Sequence, residues 1–186
     1  MRRAWVMMVL LGCAACSMKS DEEALLDREV PGKVLFESYT VEMTWGYKLS
    51  GMYIDDNGTV WAYEYTGTPW YPEKLKPGEL SERDMLTKHK DARQIGTVDR
   101  QLLGDMTRVI KPAARGTIVH ASGPGAVSGS LEVAYLFDPD ASTYHEIILA
   151  GEGDRIATNS APEAQLLLDY LRQVKEALKA PDASVQ

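Results

Sequence analysis

Between positions 39 and 49 every second residue is large and apolar or aromatic: Tyr39, Val41, Met43, Trp45, Tyr47 and Leu49. Thr40, Glu42, Thr44, Gly46 and Lys48 fill the places between them. Side chains of a strand alternate between two faces, so the pattern predicts a strand with one face buried. After Gly51 the apolar parity changes to Met52 and Ile54. A slip of one residue turns every side chain over, which predicts a bulge or turn near Ser50 and Gly51. Asp55-Asp56-Asn57-Gly58 then reads as a hairpin turn, because Asn and Gly tolerate positive φ. Residues 59–65 return as a strand, with Trp61, Tyr63 and Tyr65 on one face. Strands joined by such tight turns form an antiparallel sheet.

The rest of the body alternates helix and strand signals. Residues 66–79 are a Gly- and Pro-punctuated loop. Ser81 with Asp84 three positions later predicts a helix start, running to about His89. Residues 94–98 read as extended. Asp99 caps a second helix through Leu102, Leu103, Met106, Val109 and Ile110, ended before Pro112. Residues 116–121, 131–138 and 143–150 read as strands, the last two joined by Pro139-Asp140-Ala141-Ser142. Residues 122–129 form a Gly-rich turn, and Gly151-Glu152-Gly153-Asp154 is another. Ser160, Pro162 and Glu163 announce a last helix, and Ala164, Leu167, Leu168, Leu171, Val174 and Leu178 follow at helical spacing. The expected class is therefore α+β: an antiparallel sheet of about five strands in two hairpins, with two to three helices on one sheet face. The C-terminal helix is expected to pack on that sheet.

The charge excludes one class of partner. The chain has 20 Lys and Arg against 27 Asp and Glu, a net charge of -7. A nucleic-acid partner calls for clustered cations, so none is expected. The short basic run Lys88-His89-Lys90 reads as a solvated helix end, where cations are favoured.

Both cysteines, Cys13 and Cys16, lie ahead of the folded body, which from Ser17 onward holds no disulfide and no thiol. Arg2 and Arg3 precede an apolar run from Ala4 to Leu11, which is too short for a bilayer span of ~20 residues. It has the length of a signal-peptide core, ~7–15 residues. Leu10-Leu11-Gly12-Cys13-Ala14-Ala15-Cys16 follows, and here the segment resembles a bacterial lipoprotein signal. The resemblance implies cleavage, and a diacylglycerol on Cys13 or on Cys16. Leu10-Leu11-Gly12-Cys13 is the better lipobox, whereas Cys16 leaves a more usual signal length and no stray thiol. Ala14 or Ser17 after the modified cysteine implies the outer membrane, facing the periplasm. The expected division is 1–16 signal peptide and lipidation site, 17–32 tether, 33–180 one α+β domain and 181–186 disordered tail.

The candidate binding surface is aromatic. Trp70 and Tyr71 lie between prolines in a loop, where a Trp-Tyr pair suits an interface. Trp61 and Tyr63 are the strand residues that complete it, although strand aromatics also fill cores. No metal site is expected, because His89, His120 and His145 have no ligand spacing. Neighbouring strand residues such as His145 and Glu146 point to opposite faces. Ser122 and Ser128 lack the nucleophile-elbow spacing of a hydrolase. No catalytic set and no cofactor is expected. The reading is an envelope lipoprotein, lipid-anchored to a membrane, that binds an envelope protein or cell-wall component. One alternative is a protease inhibitor or immunity-type protector, since the order of elements resembles emfourin-like inhibitors of thermolysin-type proteases. A second is a hydrolase built around His120, Asp138 and His145.

Overall fold

The computed structural model describes residues 32–70, 72, 76–122, 128–153 and 155–179, with the side chains of Ser122 and Arg155 left aside. Cys13, Cys16, the tether to Pro31, Tyr71, the 123–127 turn, Asp154 and the 181–186 tail lie outside the described residues. The elements are β1 (Val34–Glu42), β2 (Tyr47–Asp55), β3 (Thr59–Gly67), β4 (Glu79–Ser81), α1 (Glu82–Lys88), β5 (Arg93–Thr97), α2 (Arg100–Ala113), β6 (Ile118–Ser122), β7 (Ser128–Asp138), β8 (Thr143–Gly153), β9 (Arg155–Asn159) and α3 (Pro162–Lys179). The fold is α+β, with the C-terminal helix α3 packed on an antiparallel sheet.

That sheet has nine strands rather than about five, in the order β5-β3-β2-β1-β7-β8-β9-β6, with β4 on β8. Part of the excess comes from the opening alternation. Positions 39–49 are not one strand but the end of β1, a reversal at 43–46 and the start of β2. From Phe36↔Ile54 to Glu42↔Lys48 each β1–β2 pair joins two odd or two even positions, as in Tyr39↔Gly51 and Val41↔Leu49. The period therefore runs through the turn unbroken. The bulge expected at Ser50 and Gly51 is absent, since β2 keeps continuous register with β3 from Tyr47↔Gly67 to Ile54↔Val60. Apolar parity changes there because β2 becomes buried on both faces, not because it slips.

The two faces carry separate cores. On one, Phe36, Ile54, Val60, Ala134, Ile147 and Leu149 meet Leu103, Met106 and Ile110 of α2 and Leu167 and Leu171 of α3. On the other, Leu49, Tyr53, Tyr63, Val133, Tyr135 and Tyr144 meet Leu80 and Met85. The helices thus do not share one face: α1 and its flanking chain cover the second. Among the described residues no helix is long and apolar enough to cross a membrane.

Helix ends depart from expectation where tertiary contacts compete. Asp99 caps α2 as expected, accepting from the Leu102 N–H at 2.8 Å. The helix nevertheless runs through Pro112 to Ala113, and the Ala114 N–H closes its last turn on Ile110. Ser160 does not cap α3, because its hydroxyl accepts from the Thr117 N–H at 2.9 Å. Asn159 organises that corner instead. It donates to the carbonyls of Ala113 and Ile148 and accepts from the Ala161 N–H. The Gly151–Asp154 turn is likewise displaced: β8 continues to Gly153, and β9 returns beside Ala150 and Gly151.

Asn159 is 7% exposed, so its three partners have little access to water. Asn159→Ala is expected to lower the unfolding free energy by about 3 kcal/mol, the cost of stranding buried polar groups. Urea denaturation of the variant beside the parent measures it, and a loss within error of zero would contradict the role.

Candidate functional site

The second face is built around a charge. Glu37 stands in the middle of β1, on the same odd phase as Tyr39 and Val41, and is 0% exposed. A buried carboxylate is costly unless paired and hydrogen-bonded. Three elements meet that demand. Tyr63 of β3 and Tyr135 of β7 point their hydroxyls at it from either side, and α1 brings Lys88 and His89 over it.

The short α1 is positioned by its capping box. The Ser81 hydroxyl accepts from the Asp84 N–H at 3.0 Å, and the Asp84 carboxylate accepts from the Ser81 N–H at 3.1 Å. Seven residues later the helix ends. Consecutive helical residues diverge by about 100°, so two neighbours cannot aim at one acceptor within a regular helix. His89 escapes that limit by leaving helical geometry, with φ -104 and ψ 15, while its N–H still closes on Met85.

Each oxygen of Glu37 then receives one nitrogen and one phenol. Lys88 Nζ lies 2.8 Å from Oε2, and the Tyr135 hydroxyl donates to the same oxygen at 2.5 Å. His89 Nε2 lies 3.0 Å from Oε1, and the Tyr63 hydroxyl donates there too. An ionised carboxylate only accepts, so His89 is assigned the tautomer with its proton on Nε2. About four acceptor sites are available on a carboxylate, and all are taken.

Aromatic rings wall the cluster. The His89 ring lies 4.2 Å from that of Tyr53 and 4.6 Å edge-on from that of Tyr63. Trp61 stacks on Tyr53 and donates its indole N–H to Asp55 at 3.0 Å. Lys88 Nζ sits 4.0 Å over Tyr39 and 5.3 Å from Trp70, positions suited to cation–π attraction. Glu146 of β8 approaches from the far side, 3.5 Å from the Tyr135 hydroxyl.

Electrostatics follow from this geometry. Burial pushes the Glu37 carboxyl up, but Lys88 and His89 more than offset it, through charge and hydrogen bonds, and hold it well below the usual carboxylate range. Burial lowers His89 despite the attraction of Glu37, leaving the ring neutral at neutral pH. Burial raises Glu146, and Glu37 adds to the rise against the pull of Lys88. Burial also lifts the Tyr63 and Tyr135 hydroxyls well above their ordinary value, Glu37 reinforcing it. The result is one ion pair, Glu37 with Lys88, ringed by neutral donors.

A general base needs a free lone pair within reach of a substrate. Glu37 has neither, and its bonds to Lys88 and His89 pin α1 to the sheet. This overturns the reading of Lys88-His89-Lys90 as a solvated helix end. Lys88 and His89 are 2% and 9% exposed, and only Lys90 faces solvent. The signal was available: extending the 39, 41 parity back two residues puts Glu37 on an apolar face, where it requires a buried cation.

The expected aromatic surface is dispersed. Tyr63 is buried on Glu37, while Trp61 and Trp70 are half-buried in the second core. Tyr71 lies outside the described residues. His120, Asp138 and His145 are each exposed. Asp138 spends its carboxylate on the N–H groups of Asp140 and Ala141 within the hairpin turn. His120 lies on the terminal strand β6, opposite Ala157 of β9, whereas His145 pairs with Leu136 and Glu79. Among the described residues the aromatic that does face solvent is Trp45, at the reversal between β1 and β2, 98% exposed, with Met43 beside it at 55%.

Comparison with known proteins finds no family model that matches the sequence and no curated protein similar to it.

Breaking a buried ion pair from one side costs about 3–5 kcal/mol, because it leaves a bare buried charge. Lys88→Met is expected to lose that much in urea denaturation, and a loss under about 1 kcal/mol would refute the pairing.

The pH dependence has opposing parts. His89 is lowered from 6.5 in the folded chain, so its contribution is full above 6.5 and falls as pH drops below it. Glu146 is raised from 4.5, so the folded chain binds its proton first and acidification through that range stabilises. Glu37 contributes stability present above 4.5 and lost only below. Chemical denaturation between about pH 7 and pH 5 is expected to show a shallower acid loss in His89→Gln and a steeper one in Glu146→Gln. The reverse ordering would show the signs to be wrong.

Proposed function

We propose that this chain is a lipid-anchored protein of the bacterial cell envelope whose folded part binds an envelope protein or cell-wall component without catalysing a reaction. The anchor half rests on Arg2, Arg3, the apolar run after them, and Cys13 and Cys16. One cysteine carries the acyl chains, which contribute ~0.8 kcal/mol per buried methylene, and several chains together hold a protein firmly. The outer membrane, periplasmic side, is the location that fits the residues after either cysteine.

The observation that carries the binding half is the sealing of Glu37. The densest set of ionisable groups among the described residues has its carboxylate saturated and shut from solvent. What the described surface offers instead is an exposed aromatic on a tight hairpin, the kind of side chain that anchors recognition.

The test separates location from structure. Full-length chain expressed in a Gram-negative host is expected in the outer-membrane fraction, with Met1 removed and an acyl mass on one cysteine. Cys13→Ala with Cys16→Ala is expected to move the chain out of the membrane fraction, and the single variants identify the acylated residue. A wild-type chain that keeps Met1 and carries no acyl mass would defeat the proposal.

A further inference from the structure

We infer that the hollow at the tip of the β1–β2 hairpin is a saccharide-binding site whose ligand is the glycan of the cell wall. The inference rests on the envelope location proposed above and names the partner and the surface. A hollow of about 600 Å³ opens there, lined by Glu42, Thr44, Trp45, Tyr47, Lys48 and Thr66. That volume is in the range of small-ligand sites, roughly 300–1,000 Å³.

Its chemistry fits a pyranose ring. Such a ring has flat C–H faces and a rim of hydroxyls. Trp45 offers a free indole face at 98% exposure, whereas Tyr47 meets Tyr65 edge-on at 6.2 Å against the second core. The Thr44 and Thr66 hydroxyls, Glu42 and Lys48 line the same hollow and supply donors and acceptors beside that indole. Gly46 and Gly67 keep the approach open. Both have positive φ, 115 and 113, and a Cβ on either would meet nothing within 4 Å.

Charge argues for a neutral ligand. Lys48, the cation in the lining, is already paired with Glu64 at 3.0 Å, and Glu42 adds a carboxylate, so the hollow has no positive charge to spare. An anionic ligand would need spare cations. A bilayer contact would surround the Trp with further apolar and basic side chains. The tip adds Met43 and one cation, Lys48, itself paired with Glu64, on a chain of net charge -7. Position agrees as well. The tether joins β1 at Lys33, and nine residues of strand carry the chain about 30 Å to the tip, at ~3.3 Å per residue.

The experiment uses the full-length acylated chain in detergent micelles, sedimented with isolated peptidoglycan sacculi. Wild type is expected to co-sediment, and a β-1,4-linked N-acetylglucosamine trimer is expected to release it and to shift the Trp45 indole N–H resonance. Trp45→Ala should lower the bound fraction at least tenfold and Thr66→Val severalfold, while Val119→Ala, at an exposed position of β6, leaves it unchanged. Equal sedimentation of Trp45→Ala, or no resonance shift with the trimer, overturns the inference. So does Trp45-dependent sedimentation of the Cys13→Ala, Cys16→Ala chain with phosphatidylethanolamine–phosphatidylglycerol vesicles, which would make the tip a bilayer contact. Partition into a detergent phase reads the anchor separately. A chain that partitions but ignores sacculi loses only the sugar site, and one that binds sacculi without partitioning loses only the anchor.

Discussion

A single carboxylate removed from water dictates the second face of the sheet. Glu37 lies on β1, between the neighbouring strands β2 and β7, with no solvent contact. Left alone it would cost several kcal/mol, so the surrounding chain has to supply donors from several directions at once. Tyr63 comes from β3, Tyr135 from β7, and Lys88 and His89 from α1. These contacts span up to 98 positions of sequence, so the cluster forms only when the hairpins and α1 are all in register. A one-residue slip of β1 would turn Glu37 into the helix-covered core beside Phe36, where nothing described could neutralise it.

The two cores therefore have different characters. The face under α2 and α3 is aliphatic, and one Phe and one Tyr meet edge to face within it, Phe36 and Tyr170 at 5.6 Å. Aliphatic packing of that kind tolerates exchange of similar volumes. The face under α1 is aromatic and polar, and its geometry is directional at each bond. Replacing a buried ion pair by well-packed apolar residues is often neutral in free energy, so such a cluster adds specificity more than stability. Here the specificity is concrete. It decides where a seven-residue helix, too short to be stable alone, sits on the sheet.

Much of this was legible in the residues. Local signals located the Asn57-Gly58 turn, the Pro139–Ser142 turn, the Ser81 and Asp99 caps and the buried stripe of α3, because each depends on neighbours in sequence. The failures share one cause. β4 is a short strand defined by its partner β8, and β9 one defined by its partners β6 and β8, not by their own period. Ser160 has the right spacing for a cap, but Thr117 claims its hydroxyl from 43 positions away. Lys88 and His89 looked solvated because a helix end usually is, and their partner lies some 50 positions earlier. Trp45 was read as a strand residue because the parity of the turn preserved the alternation on both sides of it.

The hairpin and the Glu37 cluster depend on one register. Pairing like parities across the reversal is what keeps Glu37, Tyr39 and Val41 on the same face as Tyr53 and Leu49. The reversal at 43–46 must be tight for that register to hold, and Gly46 at positive φ makes it so. A tight reversal beyond the end of both cores has no packing surface to offer its own side chains. Met43 and Trp45 are consequently expelled into solvent by the same geometry that turns Glu37 inward. An indole is a poor choice for an exposed turn on stability grounds alone, since nothing there shields its apolar area from water. The register explains why position 45 is exposed but not why it is tryptophan, and that residue choice is what directs attention to a ligand at the tip.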